Sequence, residues 1–197
     1  IGFDEILVGF ILSATLVNSI IFNLFSSFFA DRIGRKKVLI IYALLMAVSG
    51  GVFLLTENYF ALILAAFIGT INVTGSETGA FLSLEQAILP QTVKNIKKQN
   101  TVFAFYNMIG TLAMAGGILL SSLPQIIHEN FGFSTINSFK PLFLIYLLAG
   151  IIITLIYFFF SKEIEVKKTL DSKTFSSNLS PKSKRIIFKM SSLFALD

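Results

Sequence analysis

Ser27-Phe28-Phe29-Ala30-Asp31-Arg32-Ile33-Gly34-Arg35-Lys36-Lys37-Val38-Leu39 joins two long apolar runs, residues 6–30 before it and 38–55 after it. Within these few residues the chain leaves a phenylalanine-rich run, passes an acid, four basic side chains and a glycine, and returns to valine and leucine. Such a charged turn is at home among lipid headgroups, and each flanking run has the ~20-residue length that crosses a ~30 Å hydrocarbon core. Gly34 permits a tight turn, and Arg35, Lys36 and Lys37 are expected to lie in the headgroup layer as topology anchors.

Further apolar blocks follow at 59–89, 101–123 and 142–160, and another begins at Ile186. Hydrophobic residues make up 54% of the 197 and charged residues 14%, against about a quarter charged in a soluble domain. Lipid is the implied solvent. Backbone polar groups find no water there, so each block is expected to be helical. Barrel strands would be ~10 residues long with strict alternation, which runs such as 38–45 lack. Pro90, Pro124, Pro141 and Pro181 fall at or outside block ends, where a missing backbone donor does least harm. The expected fold is an all-α, polytopic membrane protein with a five-span bundle over 1–161. A linker rich in Lys, Ser and Thr follows over 162–185, and the start of a second bundle over 186–197.

The net charge of +5 records threading rather than a nucleic-acid surface. Of the sixteen Lys and Arg, all but Lys140 fall after the first, third and fifth blocks. Excess positive charge marks the cytoplasmic side, so residue 1 is expected outside and 162–185 inside a cell membrane. An odd number of spans starting outside suggests a piece lacking a first helix and most of a second half. No tandem repeat of fixed period is visible, and residues 1–5 do not read as a signal peptide. Cysteine is absent, which removes disulfides, thiolate metal sites and cysteine nucleophiles.

The string Asp31-Arg32-Ile33-Gly34-Arg35-Lys36, preceded four residues earlier by Ser27, resembles the signature of the major facilitator superfamily. In that family it joins helices two and three on the cytoplasmic side and helps to latch that side against the other half of the protein. By resemblance the latch role falls to Ser27, Asp31, Arg32, Gly34, Arg35 and Lys36, with Ser27 standing where the family usually has glycine. Ser19, Asn23, Ser27 and Asp31 recur every four residues on one slowly drifting face, and the serines there would allow close helix approach. The resemblance covers the chain, whose spans look like family helices two to six. The arginine often found in family helix four would fall near Ala65 or Ala66, and the antiporters' glycine-proline pattern is reduced to Gly116-Gly117. Proton antiport gains no support.

Candidate pathway residues lie in the third and fourth blocks. An ionisable group within lipid costs enough to imply function or a buried partner. If 59–89 is one helix of about 46 Å, Glu77 sits near its midplane, with Thr70 and Thr74 on its face. Glu77 reads either as a substrate or proton-coupling group or as half of a structural pair. Asn72, Ser76 and Ser83 form a second stripe, and Glu85 reads as a helix-end or loop partner. Tyr106, Asn107 and Thr111 share a region of the fourth block that reads equally as cavity lining or as interhelical hydrogen bonding. His128, the single histidine, is expected to be solvated in the outer loop, and no metal site or cofactor is implied.

Three functions follow: a secondary transporter of a small solute, with a coupling proton or ion, working by alternating access; a scaffold or sensor on the same bundle; or an intramembrane enzyme. Without cysteine, a membrane histidine or a facing carboxylate pair, the enzyme is the weakest. No phosphate-binding glycine loop is present for ATP. The expected partners are the bilayer, the solute and the other half of the same transporter.

Overall fold

The computed structural model describes residues 5–69, 80–93, 95–161, 164–165, 183, 185–186 and 189. The chain divides into two units, Ile1–Val166 and Lys167–Asp197. The expected linker and second-bundle start therefore lie almost wholly outside the described residues, as do Thr70, Thr74 and Glu77.

The first unit holds seven helices among the described residues: α1 (Glu5–Ile33), α2 (Arg35–Leu55), α3 (Tyr59–Ile68), α4 (Ala80–Thr92), α5 (Ile96–Leu120), α6 (Leu123–Phe131) and α7 (Thr135–Phe158). No strand occurs among the described residues. Among the described residues, four stretches are long and apolar enough to cross a membrane: Ile6–Ile33, Arg35–Leu55, Lys98–Phe131 and Thr135–Phe158. The protein is a polytopic helical membrane protein.

Helix ends follow local chemistry. At Gly34, φ is 110° and α1 gives way to α2, a backbone state that L side chains rarely adopt. The Asn58 side chain caps α3 by accepting from Ala61 N at 3.2 Å. Pro124 lies in the first turn of α6, and Gly132 closes that helix in the left-handed region. Gln99 Nε2 donates to the carbonyls of Pro90 and Val93, both at 3.1 Å, and so secures the turn from α4 into α5.

Two expectations change here. The block 59–89 is not one continuous helix, because α3 ends at Ile68 and Gly69 is extended. Ser49 Oγ donates to Ala65 O at 2.8 Å and Asn18 Nδ2 donates to Gly69 O, so α1 and α2 engage the carbonyls around this end. The depth argument for Glu77, which needs an unbroken rise, loses its premise. Pro141 does not start the last span either: α7 begins at Thr135 and carries the proline inside it. Asn137, four residues before it, is exposed, so its carbonyl can take a partner from outside the helix.

The tightest packing joins α2 to α7. A Cβ added at Gly150 would meet Ala47 N at 2.7 Å, and one at Gly50 would meet Leu147 N at 2.9 Å. Lipid tails are as apolar as leucine, so close backbone approach and dispersion hold helices together there better than burial of oil from water. Between α1, α2, α4 and α7 runs an aromatic column. Phe22 stacks on Tyr42 at 4.8 Å, and Phe81 stands 6.0 Å from Tyr42 and 6.1 Å from Tyr157. This column stands beside the Gly34 turn.

Candidate functional site: the charged turn and its carboxylates

Gly34 has no side chain to cap α2, and the backbone N–H groups of Arg35 and Lys36 would be left unpaired. Glu165, beyond the end of α7, fills that place. Its Oε2 accepts from Arg35 N at 2.8 Å and its Oε1 from Lys36 N at 3.2 Å. A carboxylate at a helix N-terminus also complements the helix dipole. The fit is close: a Cβ added at Gly34 would lie 3.0 Å from Glu165 Oε1.

The basic side chains divide by task. Arg35 is 7% exposed, and its Nε donates to Asp31 Oδ1 at 2.7 Å while Nη1 donates to Ala87 O of α4 at 3.2 Å. Lys36 Nζ donates to Phe160 O at 2.7 Å, just past α7, and stands 5.8 Å from the Phe158 ring centroid. Cations at a helix C-terminus satisfy its orphan carbonyls. Arg35, buried, and Lys36, half-buried, therefore act as struts between helices. A buried guanidinium needs fixed acceptors, and Asp31 and Ala87 provide them. Arg32 and Lys37 remain exposed.

Asp31 is placed differently from its partner, with a side chain 57% exposed against 8% for Arg35. The turn thus presents a carboxylate outward with a guanidinium fixed behind it. Ser27 is also exposed, its Oγ donating to Asn23 O at 2.9 Å. Ser26 and Ala30 are the buried small residues of this turn. Ser26 Oγ and Tyr42 Oη share a 2.8 Å hydrogen bond.

A second carboxylate, Glu85 on α4, accepts from two tyrosines: Tyr106 Oη of α5 on Oε2 and Tyr157 Oη of α7 on Oε1, both at 2.5 Å. Three helices meet at one half-buried carboxyl group. Of the expected pathway residues that are described, Tyr106 joins this cluster. Asn107 and Thr111 lie on the exposed side of α5, with Thr111 Oγ1 donating to Asn107 O at 2.9 Å. Thr70, Thr74 and Glu77 fall outside the described residues. The sequence alone reads Glu85 as a helix-end or loop partner and gives Tyr157 no role. Placing Glu85, Tyr106 and Tyr157 within the apolar blocks was a usable signal, because a carboxylate in lipid needs donors.

His128 is exposed on α6, its Nδ1 2.7 Å from Phe133 O. Among the described residues no group of three or more His, Cys, Asp or Glu is placed to hold a metal ion.

The family model described as Major Facilitator Superfamily matches residues 1–196. The chain belongs to the major facilitator superfamily. It is also similar to an "Uncharacterized membrane protein YJR124C" of Saccharomyces cerevisiae (strain ATCC 204508 / S288c), with 27% identity over 148 residues. The match covers 74% of this chain and 33% of that protein, so the chain spans about a third of its relative's length. No solved structure matches the chain significantly. In this superfamily member the signature string is therefore also a packing device, joining α1 and α2 to α4 through Arg35 and to the end of α7 through Lys36 and Glu165.

Proposed function

We propose that this chain forms part of a secondary transporter that moves a small solute by alternating access, with the Gly34 turn as its cytoplasmic latch. The observation that carries the reading is the pairing of an exposed Asp31 with a buried, triply engaged turn. A latch needs one rigid jaw and one free contact. Arg35, Lys36 and Glu165 make the jaw, and the Asp31 carboxylate, held on one oxygen by Arg35 but 57% exposed, is presented outward to a second helical bundle, supplied by the other half of the same transporter. Alternating access then consists of rocking one bundle against the other around a site between them.

The distribution of Lys and Arg supports placing this turn in the cytoplasm of a multi-pass cell-membrane protein, with residue 1 outside. We assign the solute path to the polar residues Thr70, Thr74 and Glu77 together with Tyr106, Asn107 and Thr111, with a proton or ion as the coupling partner. The test is counterflow in vesicles containing the intact protein. A panel of sugars, amino acids, organic anions and organic cations is added outside vesicles preloaded with the same compounds. Saturable uptake accelerated by internal solute supports the reading, because an alternating carrier returns faster when loaded. Solute binding without flux for any ligand would instead favour the scaffold or sensor.

A further inference from the structure

At the end of the bundle away from Gly34, a cavity of about 280 Å³ opens between α2 and α7. It is lined by Phe53, Phe139 and Phe143, and by Glu57 and Lys140. Phe53 and Phe143 stack with centroids 5.1 Å apart and form its aromatic wall. Glu57 and Lys140 are exposed and form no ion pair with each other among the described residues. Lys140 is the one basic residue apart from the groups that follow the first, third and fifth apolar blocks.

Depth decides the kind of occupant. Thr135 at the lip is the first residue of α7, and Phe143 lies eight residues further, about 12 Å along the helix axis. Headgroup and interfacial layers are only ~5–8 Å thick on each side of a bilayer, so a cavity about 12 Å long beside a membrane-spanning helix is longer than that layer is deep. Leu55 and Phe139, both in its lining, are exposed apolar side chains that face the same surroundings. The volume lies just below the roughly 300–1,000 Å³ of pockets that enclose a whole ligand, which suits a headgroup and the start of a chain with the rest outside. The occupant is an amphiphile whose polar end meets one cation and one carboxylate.

We propose that this cavity holds a zwitterionic phospholipid, its phosphate on Lys140, its ammonium on Glu57 and the first part of an acyl chain along Phe53, Phe139 and Phe143. An anionic lipid would gain Lys140 but meet Glu57 as a like charge, which discriminates against it. Phenyl faces also favour a nearby ammonium.

The experiment is native mass spectrometry of the intact protein taken from vesicles of equal phosphatidylcholine, phosphatidylethanolamine and phosphatidylglycerol. The wild type should retain either zwitterionic lipid at least about fivefold over phosphatidylglycerol. Glu57→Lys should reverse that order, and Lys140→Gln should lower retention of all three. Equal retention, preference for phosphatidylglycerol in the wild type, or an order unmoved by Glu57→Lys overturns the assignment, as does a second copy of the protein in place of lipid. A measurement without variants guards against misfolding: phosphatidylcholine carrying a photoreactive group near the glycerol should crosslink to the peptide containing Phe139 and Phe143. Crosslinks confined to other helices would overturn the assignment equally.

Discussion

Replacing Glu165 by alanine removes the cap from α2 without touching the turn itself. Two backbone donors, Arg35 N and Lys36 N, lose acceptors at 2.8 and 3.2 Å. Loss of a capping side chain costs about 0.5–2 kcal/mol, and loss of a negative charge at a helix N-terminus about 0.3–1 kcal/mol. Because Glu165 is half-buried rather than enclosed, water recovers part of this, leaving about 1–2 kcal/mol, or a ~5–30-fold change in local opening. Glu165→Gln keeps an acceptor and loses the charge, so it should cost about half as much. Hydrogen exchange on a peptide spanning residues 33–38 reads the effect directly. Faster exchange there, with the middle of α2 unchanged, is the expected result. Unchanged exchange in Glu165→Ala would show that the carboxylate does not hold the turn, and uniform acceleration along α2 would show that its role is not local.

Other substitutions separate the contacts. Gly150→Ala places a Cβ 2.7 Å from Ala47 N and should cost about 1–3 kcal/mol through separation of α2 from α7. Gly116→Ala meets nothing within 4 Å and should be neutral or slightly stabilising; unfolding in mixed micelles compares the two. Tyr106→Phe and Tyr157→Phe each remove a bond to a carboxylate worth about 1.5–3 kcal/mol, and the double variant should be non-additive because both tyrosines serve Glu85. Strict additivity in the same assay would dissolve the cluster. If Glu77 couples transport to protons, Glu77→Gln should abolish uphill, proton-driven accumulation while solute exchange survives, as measured by flux in vesicles with and without a pH gradient; weakened binding would instead mark a direct contact with a cationic solute, and normal accumulation, affinity and pH dependence a structural residue.

The turn was legible in sequence because every signal for it is local: an acid, a glycine and basic residues between two apolar runs. Its two long-range supports were not. Glu165 is 130 residues from Arg35, and nothing in the spacing says which carboxylate returns to cap α2. The same limit hid the bond from Arg35 to Ala87 O of α4, 52 residues away. Apolar composition showed spans but not their continuity. The end of α3 depends on Asn18 and Ser49, side chains from other helices. Pro141 misled in the opposite direction, since proline normally marks a helix boundary and here lies inside α7. For the candidate path, Tyr106 was legible as a polar residue within an apolar block, whereas its partner Glu85 reads as a helix-end or loop partner because linear position gives no view of the tyrosines converging on it.

The central claim is that Asp31 latches this bundle to another and so sets the balance between inward-open and outward-open states. The direct measurement is the labelling rate of a single cysteine at Ser27, exposed one turn before Asp31, by a thiol reagent applied from the cytoplasmic side. It is made on the intact protein with Asp31 and with Asp31→Asn. Loss of the carboxylate should loosen the latch and raise the rate about 5–30-fold, the effect of 1–2 kcal/mol on a two-state balance, with total labelling in detergent unchanged. An identical rate in the two proteins, with transport intact in both, would contradict the account.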